Sequence, residues 1–405
     1  MIRMGTANED DGKTRMDGRW HRIAFLRLGF RPFYLLAGLY ALISIPLWIA
    51  IYSGYLAPAG YYPATLWHAH EMVYGYAIAV LVGFLFTAVP NWTGRLTPTG
   101  WSLALFALLW LAGRGVMFIK TLPAPLIALI DTAFLVCAGI ALLIPLLKAK
   151  NYRNLGVVGI VFGLAASNSV FHLAILELVD YSAATALLLG LALVVLMMII
   201  MGGRVIPAFT ANALPGSTAQ RNMRYETPAI VAAVVLVICI AFPVLHHFAP
   251  PLMIVTGGLN ALRIKSWDTL STLRTPILWI LHVGYMWIIV GLLLAGASAF
   301  TPLIPRNAAI HALSTGAIAS LTLGMMTRTA LGHSGRPLKL SPSITWSYVM
   351  INLAALLRVS GVMLSPDLQK YSLLAAATAW ALAFLIFIIV YLPIFFRARI
   401  DGKPG

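Results

Sequence analysis

Trp67-His68-Ala69-His70-Glu71 stands directly before the apolar run Met72 to Pro90, and that junction decides how the chain is read. A run of this length is a membrane span, and imidazole and carboxylate at the end of a membrane helix are costly groups that usually serve a purpose. Successive helical residues turn by about 100°, so His68 and His70 lie about 200° apart and cannot chelate one ion together. On an α-helix His68 shares its side with Glu71, Met72 and Gly75, and His70 shares the other with Val73, Tyr74 and Ala77. Such a helix can stand between two cofactors. The plainer alternative leaves both rings hydrated at the interface or bonded to loop carbonyls.

The composition fixes the class around that stretch. With 405 residues, 60% hydrophobic, 10% charged and a mean hydropathy of +0.89, the chain is a polytopic membrane protein rather than a soluble one. The only cysteines, Cys137 and Cys239, sit alone in apolar runs, which excludes a CxxC site, a thiolate zinc cluster and a paired-cysteine haem attachment. The expected fold is an all-α transmembrane bundle of about twelve helices. Their limits read Phe33 to Ile51, His68 to Val89, Trp101 to Ile119, Pro125 to Leu147, Leu155 to Leu176 and Ala183 to Met201 in the first half. The second half reads Pro228 to Leu245, Pro250 to Leu262, Pro276 to Ala299, Ala308 to Leu331, Ile344 to Met363 and Tyr371 to Phe396. The eighth is the weakest, being short and carrying Gly257, Gly258 and Asn260. Residues 1–32 form a basic N-terminal segment, charged and without an apolar core up to about residue 20; residues 33–396 form the helical domain and 397–405 a tail.

The net charge of +16 reflects topology, not nucleic-acid binding. With both termini cytoplasmic, the 28 Lys and Arg fall almost wholly on the inner side; Lys120, Arg306 and Lys370 lie outside, and Arg114 and Arg358 lie within helices. That bias obeys the positive-inside rule and supports twelve spans. No internal repeat divides the chain convincingly, although six plus six helices around the basic loop Gly202 to Thr227 is open.

Six of the nine histidines then collect toward the outer face: His68 and His70, His172, His246 and His247, and His311. Helices bringing imidazole to one depth are what a metal or haem site inside a bundle requires, and His68, His70, His172 and His311 are the candidate ligands. Proton relays use such residues too. His246 and His247, adjacent and differently directed, read better as loop caps. Arg114 and Arg358 fall at a similar level and could hold haem propionates, or form structural pairs such as Arg114 with Asp131 or Arg358 with Glu71. On the inner side, Pro90 to Arg95, Met201 to Pro207 and Leu323 to Arg336 read as glycine- and polar-rich junctions. They are either snorkelling anchors or an access route lined by Arg95, Arg204, Arg328 and His333, with His282 as a possible ligand of a second cofactor. Met72, Met197, Met198, Met201, Met325 and Met326 read as flexible packing rather than copper ligands.

Several of these segments together resemble the NnrS family. They are Phe30-Arg31-Pro32-Phe33, Trp67 to Met72, Gly83-Phe84 through Thr87 to Gly94, Leu111 to Arg114, Met201 to Thr210, and His311-Ala312-Leu313 through Gly332 to Arg336. The likeness runs in order from helix one through helix ten. It implies a multi-pass protein of the bacterial inner membrane that contains haem and copper and is linked to denitrification and defence against nitric oxide. The resemblance does not decide whether members reduce the gas, sequester it or protect other metalloproteins.

On that reading His68, His70, His172 and His311 hold haem or copper, with His282 and His333 as inner candidates. Glu71 is either an acceptor that fixes an imidazole tautomer or a proton carrier. Nitric oxide reaches an open haem position through lipid, and a reductase would draw electrons from quinol or a cytochrome. The alternatives are a proton-coupled secondary transporter and a non-catalytic haem or metal carrier.

Overall fold

The structure, a computed structural model, describes residues 23–57 and 60–403. The charged segment up to about residue 20, expected to lack a core, lies outside the described residues. Apart from short 3₁₀ turns, the described residues form twelve helical rods. The first six are α1 (Phe30–Tyr52), α2 (Ala64–Thr93), α3 (Trp101–Val116), α4 (Ala124–Lys148), α5 (Leu155–Ile175) and α6 (Ala183–Ala213). The others are α7 (Met223–Ala241), α8 (Ala249–Ile264), α9 (Pro276–Ala297), α10 (Arg306–His333), α11 (Pro342–Gly361) and α12 (Pro366–Phe396). Nine are long and apolar enough to cross a membrane, and α3 is a shorter apolar helix. The fold is therefore the expected all-α transmembrane bundle of twelve helices; the weak eighth is present as a helix but, like α11, is not among the nine.

Both ends of the bundle emerge at one face. Arg31, wholly buried at the start of α1, donates from Nη1 to the carbonyls of Ile394 (3.1 Å), Phe395 (2.8 Å) and Arg397 (2.8 Å) at the end of α12. Phe25 stacks on Phe396 with ring centroids 4.6 Å apart.

The packing repeats every four helices rather than every six. In each run of four the first helix packs on the second and the third on the fourth, and the fourth packs on the first of the next run. Thus α4 meets α5, α8 meets α9, and α12 closes the ring on α1. The second helix of each run, α2, α6 and α10, turns inward, and these three share an apolar central cavity with Leu281 of α9. Each ends near a glycine with positive φ: Gly94 (+67°), Gly216 (+79°) and Gly335 (+75°), the left-handed stop that side chains resist. In α2 and α10 the sequence itself repeats at one constant offset, as His70/His311, Gly75/Gly316, Gly83/Gly324 and Gly94-Arg95/Gly335-Arg336. The two-halves alternative is corrected accordingly.

Three further expectations change. The junctions at Met201 to Pro207 and Leu323 to Arg328 are continuous helix, as is Pro90 to Thr93, so α6 runs on to Ala213 rather than stopping at Met201. Gly203 is needed for close approach, not for a break: a methyl there would take the place of the Arg263 guanidinium. Arg263, which the charge pattern assigns to an inner loop, is buried in α8 and bonds Glu226 of α7 through Nε (2.5 Å) and Nη2 (2.6 Å).

Candidate functional site

The residues after His70 and after His311 form π-helical turns, Glu71–Ala77 and Ala312–Ile318. A π turn bonds i to i+5 and so shifts the angular position of every later side chain on the helix. On α2 this reassigns the faces. Glu71 and Tyr74 go with His70, while Met72, Val73 and Tyr76 line a cavity with His68. The expected partnership of His68 with Glu71 is overturned by that turn; the opposition of His68 and His70 is retained.

The His70 face is a closed ionic cluster in the cleft between the first and second runs of four. His70 Nδ1 lies 2.9 Å from Glu71 Oε1, and its Nε2 lies 2.9 Å from Asn168 Oδ1 and 3.2 Å from Asp131 Oδ2. The same Asp131 oxygen meets His172 Nε2 at 3.0 Å and accepts from Asn168 Nδ2 at 2.7 Å. Arg114 ties the carboxylates together, with Nε 2.9 Å from Glu71 Oε2 and Nη2 paired to Asp131 Oδ1, while Nη1 donates to the Tyr74 carbonyl (2.8 Å). Tyr40 donates to Glu71, Tyr62 lies 3.3 Å from His70 Nδ1, and Tyr61 lies 3.1 Å from His172 Nδ1. His70 and Glu71 are fully buried and Asp131 is 5% exposed, so the pairs act at low dielectric. Gly113 lets α3 approach: a Cβ there would sit 2.9 Å from Asp131 Oδ1.

Within this cluster His70, Asp131 and His172 have ligand atoms within 4.8 Å of one another and can hold a metal ion. Two imidazoles and a carboxylate form a transition-metal donor set. Two carboxylates against one guanidinium leave one negative charge, which either a proton shared with imidazole or a metal cation balances.

The His68 face is open. His68 stacks on Trp48 (ring centroids 4.6 Å apart, 10° between planes), and its Nδ1 is buried without a hydrogen-bond partner. Across the same cavity stands His311 of α10, and Arg358 of α11 also reaches it. His311 Nδ1 donates to the Asn307 carbonyl (2.6 Å), which fixes the tautomer and leaves Nε2 with a free lone pair, the usual state of a metal-ligating imidazole. Arg358 makes no hydrogen bond or ion pair among the described residues.

The four outer imidazoles therefore form two pairs on opposite sides of α2, not one group. The inner candidates do not gather. His282 has both ring nitrogens engaged, with Thr210 (2.9 Å) and Thr269 (3.0 Å), and His333 packs near Phe30. Arg204 donates to Asn154 (2.8 Å), Arg328 lies over the Phe209 ring, and Arg95 is exposed. His246 bonds the Ile240 carbonyl (3.0 Å), as a loop cap does.

The sequence reading missed Asn168, Tyr40, Tyr61 and Tyr62. Asn168 carried a usable signal, since it lies four residues before His172 in an otherwise apolar helix and must share its face. It also missed the inner cluster in which Arg263 joins Glu226, Tyr285 (2.6 Å) and the Ile199 carbonyl (2.9 Å). No curated protein matches the chain. The family model described as NnrS protein matches residues 24–399, nearly the whole chain, and the protein belongs to the NnrS family.

Proposed function

We propose that this membrane protein binds haem and copper and acts in nitric oxide metabolism or in protection against nitric oxide. Haem is assigned to the cavity of His68 and His311, copper to His70, Asp131 and His172. The observation that carries the reading is the unsatisfied pair: His68, with a buried nitrogen that lacks a partner, lines a cavity shared with a tautomer-locked His311. Imidazoles from two helices would suit haem iron, and Arg358 would supply a cation for a propionate. The residues fit. Haem iron, when bound, offers a position that a diatomic gas can take by exchange.

The chain's own part is positioning. Glu71 holds His70 by one oxygen and Arg114 and Tyr40 by the other, so the imidazole is oriented before any metal arrives. The basic residues toward the face of both chain ends support a cytoplasmic orientation for that face and insertion in the bacterial inner membrane. Nitric oxide, small and nearly apolar, needs no carved route.

Purified protein tests the reading. It should show a Soret band that moves on adding nitric oxide, lost in His68→Ala and His311→Ala, while copper content falls in His70→Ala and His172→Ala. Colourless protein that binds neither metal would return the chain to the transporter reading. Turnover with a quinol donor separates an enzyme from a carrier.

A further inference from the structure

The third cleft of the ring, between the second and third runs of four, holds a cavity of about 440 Å³ bounded by α6, α7, α8, α9 and α10. That is ample for a small organic ligand. Its polar groups are segregated: Thr185, His246, Ser298 and Arg306 cluster at helix ends on the face away from the chain termini. Beyond them the wall is apolar down to Leu196 and Ile199, about 21 Å along α6 from Thr185 at 1.5 Å per residue, save for Thr256 of α8, whose hydroxyl donates to the Leu252 carbonyl (2.7 Å). The occupant must be amphipathic, with a small head at the interface and a long tail toward the midplane.

We propose that this cleft binds an isoprenoid quinone or quinol, with its ring between Arg306 and His246 and its tail along α6. The hydrogen-bond chemistry at the mouth selects this head. Arg306 offers only donors and has no hydrogen bond or ion pair among the described residues, so it suits a carbonyl or phenolic oxygen. His246 Nε2 donates to the Ile240 carbonyl, which leaves Nδ1 as an acceptor for a quinol O–H. The quinol meets both groups at once and the quinone meets Arg306; a phospholipid headgroup is the competing occupant, and the phosphorus assay below tells it apart. α10 is the shared wall: Ala309, Ile310 and Leu313 line this cleft, and His311 and Ser314 line the cavity assigned to haem. That placement next to haem rests on the function proposed above; the quinone binding does not.

The test measures binding of decylubiquinone to the full-length protein in detergent, with extracted native quinone, phospholipid phosphorus and iron determined on the same samples. About one equivalent of quinone should bind, falling about tenfold in Ala192→Phe/Ala295→Phe, which fills the cleft, and about fivefold in Arg306→Leu. His68→Ala should keep its quinone whatever happens to iron, so failure of the haem assignment and failure of this one are told apart. If the filled variant does not fold, a photoreactive azidoquinone on the unaltered chain should label peptides of α6 to α10 and be blocked by decylubiquinone. Undiminished binding in the folded filled variant, loss of phospholipid instead of quinone, or labelling elsewhere would overturn the proposal.

Discussion

The two sides of α2 carry the same residue type to opposite ends. On one side His70 and His172 stand in a network where Glu71, Asp131, Arg114 and Asn168 engage them and one another. On the other, His68 and His311 face a cavity with a nitrogen left over and Arg358 without a counter-charge. A network whose members mostly pair with one another ties α2, α3, α4 and α5 together even before an occupant balances its one leftover negative charge. A site with unsatisfied atoms gains stability only when something fills it. The first should therefore answer to mutation in stability as well as in the copper it is proposed to hold, the second in occupancy alone.

The largest expected effect lies on the closed side. Arg114→Leu strands two buried carboxylates, and removing one partner of a buried ion pair costs about 3–5 kcal/mol. Unfolding of the purified protein in detergent should report that loss, with little folded material recovered. A variant as stable as the parent would mean that Glu71 and Asp131 are solvated, and the contrast between the two sides would vanish.

Next comes the matched pair His70→Ala and His68→Ala. The first leaves Glu71 and Asp131 short of a donor, at about 1–3 kcal/mol for an unsatisfied buried group. The second removes a half-buried ring whose main contact is the Trp48 face, and in haem-free protein should cost under about 1.5 kcal/mol, the worth of an aromatic pair. Iron content should behave in reverse, abolished by His68→Ala and largely kept in His70→Ala. Equal costs for the two in the absence of metal would break the distinction.

Arg358→Leu sharpens the open side. With no partner to strand, it should leave haem-free stability within about 0.5 kcal/mol of the parent. Haem retention during dialysis should fall about tenfold, the loss of roughly 1.4 kcal/mol expected for one charge-assisted contact. A drop in stability without a drop in haem would assign Arg358 to the fold instead.

These contrasts were partly legible in the chain. Residue type and position along the helices were enough to single out His68, His70, His172 and His311, because imidazole stands out in an apolar run. Their pairing was not, because it depends on which helices flank α2, and the place of Glu71 was not, because it depends on the π turn, which carries no compositional mark beyond Gly75. The recurrence of His70 and Gly75 as His311 and Gly316 went unread as a repeat, and it points to fours only because α6 occupies the third equivalent place without a histidine. Arg263 was misjudged for a related reason. The positive-inside rule counts charges by position along the chain, and nothing in that count shows that Gly203 of a distant helix makes room for the guanidinium.

The smallest effect probes how closed the closed side is. His172 sits with Nε2 against Asp131 and Nδ1 3.1 Å from the Tyr61 hydroxyl, so if Nε2 carries the proton, Nδ1 accepts from tyrosine. Tyr61→Phe keeps the ring contact and removes only that donor, at about 0.5–1.5 kcal/mol. Because Tyr61 is half-buried, water can replace part of the lost bond, which favours the lower end. Combined with Arg114→Leu the two losses should not add, since both act through Asp131 and His172. Strict additivity in a double-mutant cycle would mean that His172 is held independently of Arg114, and the cluster would divide into two smaller sites.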